Sequence, residues 1–303
     1  MTHAADHSLD HLSPAASRLG AAFARPKRLA AICVVVLAAL GWLYLGVLTA
    51  SMGGSAGALG PGMSGLDLLP RVINVLCSPT FGIALMPDGV WGASGFMLVG
   101  LMWAAMTLAM MLPSAAPMIL TYAEIADTAA RKHEPVVSPF VLAAGYTLVW
   151  LGFAAVATAA QYALTRAALL DASMASVSGL FSGAVFVAAG IYQFSALKHA
   201  CLKQCQSPFP FFFANWATTA RGVFRLGLRQ GMFCLGCCWA MMAVMFAVGI
   251  MNVVWMAALG IVMTLEKMGG GKRLTYALGV LSIAAGLAFI VSSVVAHWPG
   301  RMI

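Results

Sequence analysis

The sequence predicts an all-α fold, a polytopic transmembrane bundle of about six spanning helices, or seven if the longest apolar block is divided. Three observations predict it. Hydrophobic residues make up 62% of the chain and charged residues 9%, against roughly 25% charged in a soluble protein. The apolar residues gather into blocks near the roughly 20 residues that a bilayer-crossing helix needs. The basic residues fall between those blocks, so the net charge of +8 reads as membrane orientation rather than nucleic-acid binding. A length of 303 residues fits one bundle. The expected organisation is a disordered cytoplasmic tail over 1–28 and one helical domain over 29–303, with a cytoplasmic cysteine-containing loop at 196–238.

Block one follows Arg25, Pro26, Lys27 and Arg28 and runs uncharged from Leu29 to Ala50. It is longer than the roughly 7–15 apolar residues of a cleavable signal core, so an uncleaved helix is expected. Residues 51–91 form a Gly- and Pro-rich loop. Block two, 92–112, meets Pro113 and Pro117, each of which removes a backbone donor and predicts a kink before the helix continues to about Ala130. Blocks three, four and six are 138–164, 175–195 and 275–297. Block five, 230–265, carries no charge, yet as one helix it would be roughly 54 Å long. A single helix over 239–264, with 230–238 projecting, is the favoured reading. Two short helices broken near Gly249, Met251 and Asn252 are the alternative.

With block five continuous, Arg18, Arg25, Lys27, Arg28, Arg131, Lys132, Lys198, Lys203, Arg221, Arg225, Arg229 and Arg301 share one side. Arg71, Arg166, Lys267, Lys272 and Arg273 take the other. The excess predicts a multi-pass inner-membrane protein with both termini cytoplasmic. The divided reading would move Lys267, Lys272 and Arg273 across.

The chain has seven cysteines, and five of them, Cys201, Cys205, Cys234, Cys237 and Cys238, fall within 38 residues. An odd total with adjacent members is not a secreted disulfide framework. Cys201 and Cys205 share one helical face, as do Cys234 and Cys238, with Cys237 beside them. One connection joins blocks four and five, so both groups sit on the same membrane side. Converging thiolates select Cu(I), Zn or iron–sulfur clusters, and thioethers favour Cu(I). A metal ion, Cu(I) ahead of Zn, is therefore the expected ligand, with Lys198, Lys203 and Arg229 stabilising thiolate charge. The bland alternative is that cysteine serves here only as a small membrane residue.

Met106, Met110, Met111 and Met242 would supply a thioether relay, although Met is also a flexible packing residue. Tyr192, Gln193, Lys198, Asn252 and Glu266 form a candidate polar site, since polar groups in apolar blocks are costly. Asn252 also has an ordinary reading as an interhelical hydrogen bond, Glu266 as a residue at the headgroups and Tyr192 as an interface anchor. Glu124 and Asp127 are expected on the cysteine side, and Glu266 on the opposite side. His3, His7 and His11 form a stripe that could capture metal in the tail. No Walker motif, Gly-x-Ser-x-Gly elbow or His-Glu-x-x-His helix occurs, and the only histidine near a span, His297, lies at the end of block six. Nucleotide and haem are not expected.

These residues resemble a bacterial domain-of-unknown-function family of predicted metal-binding integral membrane proteins. The stretches that carry the resemblance are Met102–Met106 leading to Met110–Met118, then Tyr192, Gln193, Leu197, Lys198 and Cys201–Cys205 with Ser207 and Pro208. They continue with Cys234–Trp239, Met251, Asn252, Trp255, Met256, Glu266 and Lys267. The resemblance covers roughly residues 95–270 and implies metal binding, with no established transport or reaction. The expected function is Cu(I) or Zn handling, delivery or transport, with the lipid bilayer and a metallochaperone or metalloenzyme as partners. A thiol–disulfide oxidoreductase and a structural or assembly subunit of a membrane complex are the alternatives.

Overall fold

The computed structural model describes residues 26–51, 92–170, 176, 178–250, 252–269 and 271–296. The histidine stripe, Cys77, Met251 and the loop over 52–91 lie outside the described residues. The described chain is helical, and among the described residues no strand forms. The helices are α1 (Pro26–Ser51), α2 (Ala93–Arg131), α3 (Pro139–Arg166), α4 (Gly179–Tyr192), α5 (Ala196–Gln206), α6 (Pro208–Ala214), α7 (Ala220–Ala243), α8 (Met245–Val248), α9 (Val253–Lys267) and α10 (Gly271–Ala296).

Among the described residues, four helical stretches are long and apolar enough to cross a membrane: Gly95–Arg131, Pro139–Arg166, Ala220–Val248 and Lys272–Val295. Counting the bent pair α4–α5 as one makes five, fewer than the six expected. The reasons are local. Block four turns by 65° between Tyr192 and Ala196, where the Ser195 side chain accepts from Lys198 N (3.1 Å) and starts a new helix. Block one contributes a shorter apolar helix, Ala31–Gly46.

Block five is two helices, which corrects the favoured single-helix reading. Gly249 ends α8 at φ 102°, a left-handed conformation that glycine adopts without Cβ strain. Three residues later the Asn252 side chain accepts from Trp255 N (3.2 Å) and caps α9. The chain therefore reverses, and α9 returns Glu266 and Lys267 to the level of the cysteines.

α2 keeps both prolines inside one helix. Pro113 cannot donate to the Ala109 carbonyl, and the indole of Trp42 on α1 donates to it instead (3.1 Å). Glycines set the closest helix approaches. A Cβ on Gly145 would meet the Phe224 carbonyl, and one on Gly227 the Leu142 carbonyl, so α3 and α7 pack backbone to backbone in parallel. Gly179, Gly183 and Gly190 of α4 face Ser293, Ile290 and Ile283 of α10 in an antiparallel pair.

Candidate metal centre

α7 carries three arginines in its first ten residues and no charge over the rest. Thr219 caps it through Gly222 N (3.2 Å), and Arg221, Arg225 and Arg229 occupy its opening turns. Cys234 follows Arg229 by little more than one turn. Cys234, Cys237 and Cys238 are all buried. Leu226, Cys234, Cys237 and Cys238 belong to the same core as Tyr146 of α3 and Met111 of α2.

The bend after α4 lays α5 across α7. The i, i+4 face that carries Cys201 and Cys205 meets the Cys234–Cys238 turn. Cys205 Sγ lies 4.0 Å from Cys237 Sγ, and Cys237 Sγ lies 3.4 Å from Cys238 Sγ. Cys237 also donates to the Cys234 carbonyl (3.1 Å). The sulfur of Cys201 packs on Gly236, where a Cβ would collide with it. Cys205 is partly exposed, so the sulfurs run from the surface inward. A cavity of about 370 Å³ is lined by Lys203, Ser207, Phe211, Arg229 and Phe233.

Two Zn–S-type bonds of about 2.3 Å bridge sulfurs between about 3.8 Å apart at a tetrahedral angle and about 4.6 Å apart when linear. The Cys205–Cys237 gap of 4.0 Å falls inside that window. Among the described residues, no group of three or more His, Cys, Asp or Glu side chains has the arrangement of a formed metal site.

The cation beside the sulfurs is Lys267. Its Nζ donates to Cys234 Sγ (3.0 Å) and Ser114 Oγ (2.8 Å), with Met111 Sδ at 3.8 Å. The Tyr146 hydroxyl donates to the Met111 carbonyl (3.2 Å) and lies 3.0 Å from Cys234 Sγ. The sequence marks Lys267 as an orientation charge and, with Ser114, within the stretches that carry the family resemblance, and it gives Tyr146 no role. Lys198 does not serve the thiols. It is fully buried and pairs with Glu266 Oε2 at 2.9 Å, while Gln206 Nε2 donates to the Glu266 carbonyl (2.7 Å). Arg229 donates to Asn215 Oδ1 (2.9 Å) and lies over the Phe211 ring.

The candidate polar residues divide. Glu266 lies on the cysteine side, contrary to expectation, because α9 runs back from the Gly249 turn. Tyr192 joins the cysteine region by donating to the Gly236 carbonyl and packing edge-on against Trp239. Gln193 is buried beside Gly279, with both side-chain amide atoms lacking a protein partner. Asn252 is a helix cap at the far end of α9, roughly 20 Å of helix from Glu266. Of the methionines, Met111 touches the site. Met110 faces Gly260, and Met106 and Met242 are buried in the core. Glu124 lines a separate groove with Phe209, Phe213 and Trp216.

The family model of PpoB2, described as a copper chaperone, matches residues 100–289, more than half of the chain. The matched region holds all five clustered cysteines and Lys267. No curated protein and no solved structure matches the chain.

Proposed function

The chain belongs to the PpoB2 copper chaperone family, and from that premise we propose that it is an integral membrane protein that receives Cu(I) on its buried cysteine cluster and passes it to a metalloenzyme or a second carrier. The observation that carries the reading is the 4.0 Å approach of Cys205 and Cys237, from helices that meet only because the chain bends after Tyr192. Soft thiolates favour Cu(I), and a nearby thioether favours it further. Cys205 is the partly exposed member and is the natural point for exchange, with Cys237, Cys238 and Cys234 behind it and Cys201 supporting the turn at Gly236. Exchange between two-coordinate thiolate complexes needs no change in oxidation state.

The cysteine end carries Lys198, Lys203, Arg221, Arg225 and Arg229, and the reversal at Gly249 adds Lys267, Lys272 and Arg273. By the positive-inside rule this end faces the cytoplasm of a bacterial inner membrane, where thiols stay reduced. In that orientation α1 starts at the cytoplasmic face, and α10, antiparallel to α4, ends on the far side.

The test is metal analysis of the purified full chain in detergent, reduced and loaded with Cu(I) against a chelator. The expected result is about one Cu(I) per chain, lost in Cys205→Ser/Cys237→Ser and kept in Cys33→Ser. Equal copper in the wild type and the double variant would overturn the assignment. A reversible Cys205–Cys237 disulfide without copper binding would favour the oxidoreductase alternative.

A further inference from the structure

We propose that the cavity between α5, α6 and α7 binds the phosphodiester headgroup of an anionic phospholipid. The inference rests on the bilayer-embedded part of the reading above and is independent of what the cysteines bind.

The cavity, of about 370 Å³, takes one cation from each flank: Lys203 from α5 and Arg229 from α7. Gln204, Ser207 and Asn215 add polar groups to its wall, and its lining includes no acidic residue. Among the described residues, neither cation has an ion-pair partner. Arg229 is positioned rather than neutralised. Its Nη1 donates to Asn215 Oδ1 (2.9 Å), and its guanidinium carbon lies 5.5 Å from the centre of the Phe211 ring. Asn215 Nδ2 in turn donates to the Phe211 carbonyl (2.9 Å), which fixes the amide with its oxygen towards the arginine. A guanidinium carries five N–H donors, so the bond to Asn215 leaves others for a ligand. A planar donor fork on one side and an ammonium on the other suit the oxygens of a phosphate group.

Helix α6 favours a lipid over a free phosphate as the source of that group. Phe211 and Phe212 face the core, whereas Phe209 and Phe213 are 54% and 66% exposed, with rings 4.6 Å apart. A helix with aromatic rings on its outer side suits the edge of a bilayer, where aromatic residues concentrate. A basic pocket at that level, at the end of the molecule that carries most of the Lys and Arg, is a setting in which anionic headgroups bind. Phe233, one turn beyond Arg229 on α7, gives the cavity an apolar wall. A free phosphate would use the two cations alone. A phospholipid uses the cations and the apolar surface together.

The experiment reads lipid retention by native mass spectrometry of the purified full chain in detergent, with phosphatidylglycerol and phosphatidylcholine supplied in equal amounts. The wild type should retain phosphatidylglycerol over phosphatidylcholine by about fivefold or more, and Lys203→Gln/Arg229→Gln should lose that preference. Arg221→Gln/Arg225→Gln removes the same charge from exposed positions on α7 outside the cavity and should keep it. Equal loss in both double variants, or in neither, would overturn the site. Sodium phosphate that displaces phosphatidylglycerol at equal concentration would assign the cavity to a soluble anion and overturn the lipid assignment. If the Lys203/Arg229 variant does not fold, Lys203→Gln alone, at an exposed position, should weaken phosphatidylglycerol by about fivefold, and an unchanged preference sinks the idea. A chain that stays in the aqueous phase without detergent removes the membrane reading as well as this one. A bilayer-embedded chain that holds both lipids equally removes this one alone.

Discussion

Lys267 Nζ lies 3.0 Å from Cys234 Sγ across 33 residues of sequence, because the chain turns back between α8 and α9. The Gly249–Asn252 turn thus acts at a distance: it sets the fold of block five and carries a positive charge to the sulfur cluster. Tyr146 and Ser114 complete the surroundings from α3 and α2, so four helices contribute to the neighbourhood of one thiol. The consequences are open to direct measurement.

Removing the Tyr146 hydroxyl tests how far this network supports the fold. The group meets both the Met111 carbonyl and Cys234 Sγ. Tyr146→Phe should destabilise the reduced protein by about 1 kcal/mol, the usual worth of a hydrogen bond. A lowered melting temperature in detergent would register it, and an unchanged one would show the hydroxyl to be dispensable.

Lys198 and Glu266 form a buried pair, and breaking one side leaves an uncompensated charge. Lys198→Met alone should cost about 3–5 kcal/mol, and Lys198→Met/Glu266→Leu much less, since apolar replacement of a buried pair is often near neutral. Thermal unfolding of the single and double variants closes the cycle. Additive losses would contradict the pairing.

The α3–α7 contact is intolerant of a methyl group. A Cβ on Gly227 would press on the Leu142 backbone carbonyl, which cannot swing away as a side chain does. Gly227→Ala should lose about 1–3 kcal/mol through overpacking. Gly152→Ala, where nothing lies within 4 Å of the added carbon, should be stable. Comparable melting temperatures for the two variants would refute the close approach.

Cys205 and Cys237 are near enough to be cross-linked after a modest movement, from 4.0 Å to the roughly 2.05 Å of a disulfide. Diamide, the oxidant, should remove two free thiols per chain and abolish Cu(I) binding, and dithiothreitol should restore both. Peptide mapping should find the Cys205–Cys237 bridge. Full copper binding by the oxidised form would show that the ion uses other ligands.

Part of the cysteine arrangement is legible in the spacing. Cys201 and Cys205 share a face because they are four residues apart, and a single connection confines them to the side of Cys234–Cys238. The division of block five was legible only as an alternative, since an uncharged run has the same hydropathy whether it forms one helix or two. The turn depends on a glycine at φ 102° and an asparagine cap, signals that occur in unbroken segments too. With the block divided, the inference that both termini share a side no longer follows. Asn252, a polar residue in an apolar run, is a candidate polar-site residue by sequence, yet its side chain is used locally, on Trp255 N.

The sequence by itself determined the helical class, the apolar blocks and the shared face within each cysteine group, since these follow from composition and periodicity along a single helix. Only the tertiary structure decided which cation meets the sulfurs. Lys198, three residues from Cys201, goes to Glu266, whereas distant Lys267 goes to Cys234. The physical reason is that a buried charge takes the partner that the helix packing puts within hydrogen-bonding reach, and proximity along the chain does not fix that distance.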